Sequence, residues 1–284
     1  MNKLSFSVPD LDELGILSKP ITEFTNADIG TEVSIPYTDV CGVINGPIIF
    51  EIVGVNHHTS VEYQHSITLM TKNIIRHAAF DANEPKNPDP DRKYIGNNCW
   101  SKSNIRQWLN SFGAANSWFT PQHKYDTAPN VKNVGYTKSG TYANEPGFLA
   151  GFSDDVLQHF TDITNKTVLC DADGGCSETT IDRVFLPSYT EMGLPTAPGT
   201  PSYTEMGLPT GEGSHLSIRY PDDNSRIKSG ADNNYWTRTP VVMNNVSKQV
   251  YYINNTGNKS AGIYYYPYWE ATYNYGIAPI IVLH

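Results

Sequence analysis

Residues able to do covalent or metal chemistry are few and dispersed in this 284-residue chain. His57 and His58 are adjacent, while His65, His77, His123, His159 and His215 stand alone, and no G-x-S-x-G elbow supplies a serine for any of them to activate. No pair of histidines brackets a glutamate at the spacing that places two zinc ligands on one helical face. Cys170 and Cys176 flank an Asp-Ala-Asp-Gly-Gly turn, so a local disulfide is conceivable, but a zinc half-site would need a second pair or a nearby His. Reduced, incidental thiols are the expectation, for Cys41 and Cys99 as well. Asp81, Glu84, Asp89 and Asp91 could offer oxygens to calcium, yet they follow no EF-hand register and are expected to be solvated. No catalytic residue, metal or cofactor is assigned on these grounds.

Recognition chemistry is concentrated instead in the last fifty residues, Tyr235 to His284. Tyr264, Tyr265, Tyr266, Pro267, Tyr268 and Trp269 are nearly consecutive, and neighbours on an extended chain point to opposite sides, so they cannot all enter one core. Tyrosine gives a large, stiff contact area with a hydroxyl, and Ser, Gly and Asn add adaptable hydrogen bonds, as in antibody paratopes. About half of these tyrosines are expected to pack across strands, where aromatics are favoured, and the rest to be exposed. Exposed aromatics in such number mark an interaction site. Only Lys248, Lys259 and Glu270 are charged between Val241 and Leu283, so the patch would bind by shape, stacking and hydrogen bonds. Arg238, amid Trp236, Thr237, Thr239 and Pro240, is expected to be a framework ion pair or an aromatic stack.

The elements that must position these residues follow from pattern. Alternation in Val33 and Ile35 and again from Ile48 to Val53, with a Gly-Val-Ile-Asn-Gly turn between, predicts a β-hairpin over Thr31–Asn56. Ser66–Phe80 predicts a strand leading into a short helix, although its periodicity is ambiguous. Pro85, Pro88 and Pro90 predict an irregular surface loop over Asp81–Asn98. Ser101 or Ser103 caps a helix that turns Ile105, Trp108 and Leu109 to the core and stops at Ser111-Phe112-Gly113. A second short helix is predicted from Ser153 to Phe160, then strand pieces at Thr167–Leu169 and Asp182–Leu186. PSYTEMGLPT at Pro187–Thr196 recurs unchanged at Pro201–Thr210; two copies do not make a solenoid, and the second is expected to lengthen a loop. Short runs at Tyr235–Thr239, Gln249–Ile253, Ala261–Tyr266 and Ile277–Leu283 predict a small antiparallel sheet, with the continuously apolar Ile280–Leu283 at its centre.

Bulk properties narrow the partners. A net charge of -9 with scattered Lys and Arg disfavours nucleic acid. No stretch approaches the ~20 apolar residues of a membrane span, and Met1–Asp10 lacks the basic and apolar parts of a signal peptide, so synthesis in a cytoplasm without membrane insertion is expected.

Five ordered strings, NNCWSKSNIRQWLNS (Asn97–Ser111), NEPGFLAGFS (Asn144–Ser153), DRVFLPSYTEMGL (Asp182–Leu194), NYWTRTP (Asn234–Pro240) and YGIAPIIVL (Tyr275–Leu283), together resemble phage and prophage proteins whose C-terminal domain has the C-type lectin fold in its formylglycine-generating-enzyme-like version. Some of these are variable proteins of diversity-generating retroelements, in which adenine-directed randomisation of Asn codons yields Tyr, Ser, Asp, His and related residues. The Asn, Ser and Tyr positions crowded between Val241 and Tyr275, including Tyr252 and Asn255, fit that signature. Lys248, Gln249, Trp269 and Glu270 do not, and would be framework. The repeated decapeptide lies outside the pattern. The enzyme that gives the fold version its name needs a reactive cysteine pair in its C-terminal half, whereas no Cys follows Cys176, so the resemblance does not carry that activity.

The expectation is therefore an α+β, C-type-lectin-like protein with short helices around small antiparallel sheets. Residues 1–47 form a strand-rich segment packed on or preceding a ligand-binding domain over 48–284, whose variable region spans about 241–275. Its binding set is Val241, Val242, Asn244, Asn245, Ser247, Tyr251, Asn254, Tyr264, Tyr265, Tyr266, Tyr268, Tyr273, Asn274 and Tyr275. The resemblance implies a non-enzymatic receptor-binding protein of a phage tail, or a surface-displayed adhesin, contacting a host-surface protein or glycan. The alternative is a structural tail or virion protein whose Tyr-rich sheet is a subunit interface, and homo-oligomers are compatible with both.

Overall fold

The computed structural model describes residues 10–39, 41–44, 46–58, 63–134, 141–194, 213–229, 234–241, 247–257, 268–270 and 274–284. Its strands are β1 (Glu32–Ile35), β2 (Ile48–Val55), β3 (Ile67–Thr71), β4 (Arg76–Ala78), β5 (Ile163–Val168), β6 (Ser177–Asp182), β7 (Val184–Phe185), β8 (Tyr235–Pro240), β9 (Gln249–Ile253), β10 (Tyr268–Glu270), β11 (Tyr275–Ile277) and β12 (Ile280–Leu283). Three short α-helices, α1 (Pro90–Ile95), α2 (Asn104–Leu109) and α3 (Asp154–Leu157), complete an α+β architecture.

The expected hairpin is present: β1 and β2 pair antiparallel from Glu32 opposite Glu51 to Ile35 opposite Ile48. Alternation sends Val33 and Ile35 inward while Glu32 and Ser34 face out. β2 is buried almost throughout because β3 flanks its other side, with a register shift between Ile52 and Gly54. A Cβ on Gly54 would come within 2.9 Å of the His57 side chain, so the bulge needs glycine. No helix follows β3. Ile74 N–H donates to Ser229 O and Ile75 N–H to Ile277 O, and the chain continues extended into β4. The apolar run is thus two strands in different sheets, extended by partners from the far end of the chain.

One sheet has the order β1-β2-β3-β12-β7, antiparallel at every junction. β12 is fully buried, as a continuously apolar strand should be, but lies fourth of five, beside the short edge strand β7, and not at the middle. The second sheet runs β10-β9-β8-β11-β4 and is antiparallel except where β11 meets β8 in parallel at Gly276 and Tyr235. β5 and β6 form a separate hairpin from Ile163 opposite Asp182 to Val168 opposite Ser177, longer than the predicted pieces.

α2 begins as predicted: the Ser103 hydroxyl accepts from Arg106 N–H, and Ile105, Trp108 and Leu109 are buried. The 81–98 stretch departs from expectation. Pro90 occupies the first turn of α1, where its missing N–H costs nothing, and Asp89 caps it by accepting from Asp91 N–H. Asp81, Glu84, Asn87, Asn97 and Asn98 are buried, not solvated. One apolar core joins both sheets and α2 and also takes Leu11, Leu17, Phe24 and Ile44 from the N-terminal segment. All four cysteines are free thiols. Among the described residues no helix is long and apolar enough to cross a membrane.

Candidate functional site

The second sheet carries the C-terminal region in which the binding residues were expected, and β8 is its anchor. Tyr235, Trp236, Thr237 and Thr239 are fully inaccessible and Arg238 nearly so. Trp236 Nε1 donates to Ala78 O (2.9 Å), tying β8 through the core to β4, and the Tyr235 hydroxyl donates to Arg226 O (2.8 Å). Arg238 makes the framework ion pair expected of it. Its guanidinium meets both oxygens of Glu191 at 2.7 and 2.8 Å, donates to Leu186 O at 2.7 Å, and lies 5.4 Å from the centroid of Phe185. Burial alone would push the Glu191 carboxyl up, but the Arg238 charge and hydrogen bonds outweigh it and hold the group below the usual carboxylate range. Close by, burial drives His58 down to about 4 against the opposing pull of Glu191, and the neutral ring places Nδ1 3.0 Å from Thr68 Oγ1.

Glu191 belongs to the first decapeptide, which folds as a compact turn on β8. Ser188 N–H donates to Glu191 Oε2, Glu191 N–H returns to Ser188 Oγ, and Tyr189 N–H reaches Thr239 Oγ1. Tyr189 stacks on Tyr251 of β9 at 4.7 Å between centroids. The second decapeptide copy lies outside the described residues.

The roots of the segment between β8 and β9 are held by the stretch expected to be a solvated loop. Asn98 donates from its side chain to Val241 O (3.3 Å) and Gln249 O (3.0 Å), and from its backbone to Ser247 O (3.1 Å). Ser247 Oγ donates to Asp89 Oδ2 at 3.0 Å, and Lys248 pairs with Asp91 at 3.0 Å. Two of the carboxylates considered for calcium therefore brace this hairpin. No group of three or more potential metal ligands comes together among the described residues.

Of the predicted binding residues, Val241, Ser247 and Tyr251 are buried, with exposures of 1%, 1% and 3%. Asn254 and Tyr275 are partly exposed and sit at the same end of the sheet, since Ile253 pairs with Tyr235, and Tyr235 with Gly276. Tyr275 packs its ring at a tilt against Tyr252 (4.6 Å) and Trp236 (4.9 Å), and Asn274 precedes it, also partly exposed. Asn255 N–H donates to Asn234 Oδ1 and Gly276 N–H to Asn234 O, so Asn234 ties that end together. Tyr268 lies in β10 opposite Tyr251, and Glu270 lies opposite Gln249, so β10 ends where the segment after Val241 is rooted. Val242, Asn244, Asn245, Tyr264, Tyr265, Tyr266 and Tyr273 lie outside the described residues, as does the strand predicted at Ala261–Tyr266.

The bracing residues Asn98, Asp89, Asp91 and Glu191 were not singled out as positioning groups by the sequence. Each acts on a partner at least forty-seven residues away, as Glu191 does on Arg238. The available signals were the Asn97-Asn98 pair ahead of Cys99-Trp100, and Asp89 directly before Pro90, a helix-start pattern.

Residues 65–284 match the family described as a domain of unknown function, DUF6273, and the chain belongs to that family. No curated protein and no solved structure matches it.

Proposed function

We propose that this DUF6273 protein is a non-enzymatic ligand-binding protein of C-type-lectin-like architecture, in the formylglycine-generating-enzyme-like version, with a retroelement-diversified surface used in phage receptor binding or host-surface adhesion. One observation carries the reading: β8 and β9 are locked by a buried ion pair, amide braces and stacked aromatics, while the segments they root are rich in Asn and Tyr and poor in charge. Rigid strands presenting side chains of low conformational entropy cost suit recognition, because little freedom remains to be lost on binding. The proposed binding set is Val242, Asn244, Asn245, Tyr264, Tyr265, Tyr266, Tyr268 and Tyr273, together with Asn254, Asn274 and Tyr275. Val241, Ser247 and Tyr251 act as its support. The partner is a protein or glycan of a host surface, and the place of action is a phage tail or a displayed surface.

The test is retention of the fluorescently labelled chain on intact bacterial cells, comparing the parent with Tyr264→Ala/Tyr265→Ala/Tyr266→Ala. A loss of more than about tenfold in apparent affinity, with the melting temperature held, is expected of truncated aromatic anchors. Unchanged retention overturns the reading. If the same variant instead dissolves a homo-oligomer, the Tyr-rich face is a subunit interface and the structural tail-protein reading takes its place.

A further inference from the structure

We propose that Cys170 and Cys176 are a reversible thiol–disulfide pair, closed by a low-molecular-weight disulfide such as glutathione disulfide, and that closure is felt at Asn98 beneath the β8–β9 connection. Both are free thiols in this structure, one buried and one exposed. They stand at the neck of the turn that joins β5 to β6. Leu169 N–H donates to Cys176 O and Gly175 N–H to Cys170 O, each at 3.1 Å, so the chain is still paired where the cysteines sit. Leu169 lies opposite Cys176 and Cys170 is the next residue along, so strand spacing and rise put the two cysteine Cα atoms about 6 Å apart, within the span of a disulfide. Alternation alone would send the two side chains to opposite faces. Cys176, however, is left-handed at φ +66°, which residues bearing a Cβ rarely adopt and which turns its thiol out of that alternation. The turn can follow a change at its neck, because Gly174 and Gly175 are left-handed too and a Cβ on Gly174 would meet nothing within 4 Å.

The surroundings of the two sulfurs set the order of events. Cys176 is exposed and meets the oxidant first: its sulfur attacks glutathione disulfide, forms a mixed disulfide and expels one glutathione thiolate. Cys170 is 1% exposed, with Sγ 3.2 Å from Asp173 Oδ2 and 3.6 Å from Asn98 Oδ1. Burial, aided by the Asp173 charge, pushes its thiol up to about 11, so it is inert towards oxidants in solvent but can resolve the mixed disulfide held beside it, expelling the second glutathione. One S–S bond replaces another, and the two thiol protons end on the two glutathione sulfurs. Closure withdraws the Cys170 sulfur from Asp173, the shared partner of Arg92 and Lys102, and from Asn98, whose side chain holds Val241 O and Gln249 O. The bond and its effect on Asn98 depend on the fold alone and not on what the segment after Val241 binds.

The experiment holds the full chain in glutathione buffers of rising disulfide content, then quenches, unfolds and alkylates it with N-ethylmaleimide. The tryptic peptide Thr167–Arg183 is weighed, since it carries both cysteines and no Lys or Arg before its end. In the parent it should lose two hydrogens, take up no alkyl group, and return to the dialkylated form after dithiothreitol. Cys170→Ser should instead keep glutathione on Cys176, and Cys176→Ser should leave Cys170 to be alkylated. Amide exchange over 249–253 should be at least about threefold faster in the closed chain than in the reduced one. The parent alone decides if either variant fails to fold. A parent peptide that stays dialkylated at every ratio, that keeps glutathione on Cys176, or that is joined to Cys41 or Cys99 overturns the proposal. Exchange over 249–253 that does not respond to closure overturns the link to Asn98.

Discussion

Replacing Arg238 by Met tests the anchor of the second sheet, because its partner Glu191 is inaccessible and has no other cation within bonding distance among the described residues. Removing one member of a buried, hydrogen-bonded pair leaves an uncompensated charge and typically costs about 3–5 kcal/mol. For a chain of this size that is about 6–20 °C in melting temperature. The sign of the pH dependence follows from Glu191. With Arg238 present the folded carboxyl titrates below its ordinary range, so its stabilisation is full above the unfolded value near pH 4.3 and is lost as pH falls through the lower folded value. Without Arg238, burial dominates and raises the folded value, so the group is a burden at neutral pH that protonation relieves. The gap between parent and variant should therefore be widest near pH 7 and narrow towards pH 4.5, measured by urea unfolding at each pH. Met also approximates the volume of the lost side chain, so Arg238→Met/Glu191→Met should recover most of the loss. A gap under about 1 kcal/mol, or one independent of pH, would refute the reasoning.

Three further outcomes follow from the same structure. The buried His58 is held neutral to about pH 4, so the stability its depressed value supplies is present above the unfolded value near 6.5 and drains away as pH falls towards 4; His58→Gln should flatten thermal stability across that interval by up to about 3 kcal/mol. Burial lowers Lys228 to about 7, with Nζ donating to the carbonyls of Thr71 and Lys72, so stability should climb by about 2–3 kcal/mol from pH 7 to pH 9 and Lys228→Met should remove the climb in urea titrations. Asn98→Ala leaves the carbonyls of Val241 and Gln249 without its side-chain donor, and should cost about 1–3 kcal/mol and accelerate amide exchange over 247–253 above the rest of the second sheet.

Local signals carried the sequence reading where they sufficed. The β1–β2 hairpin, the Ser103-capped α2, β8, β9 and the apolar β12 all declare themselves within about ten residues, through alternation, a cap or a continuous hydrophobic run. Arg238 was legible as framework because an arginine amid Trp and Thr on a strand must find a partner when buried. Errors arose where the deciding contact is remote. Ile74 and Ile75 are extended because Ser229 and Ile277 accept their N–H groups, a fact absent from the apolar spacing that suggested a helix. Asp89 and Asp91 looked solvated because prolines surround them, yet their partners Ser247 and Lys248 are more than 150 residues away. The first decapeptide gave no sign that its glutamate would be buried against β8. For the C-terminal region the pattern gave a set of tyrosines and amides but not which of them are buried, and Tyr251 packs inward, stacked against Tyr189.

The central claim, a scaffold that stays fixed under a face that is diversified, is tested most directly by sequencing the gene across sister isolates together with its flanking DNA. Substitutions should be confined to codons between Val242 and Tyr275 other than those of the buried Ser247, Tyr251 and Tyr252, matching adenines of a nearby template repeat beside a reverse transcriptase gene. Trp236–Pro240, Asn98, Glu191 and Gly276–Leu283 should stay unchanged. Identical sequences over 241–275, or changes spread evenly into the braces and buried strands, would contradict it.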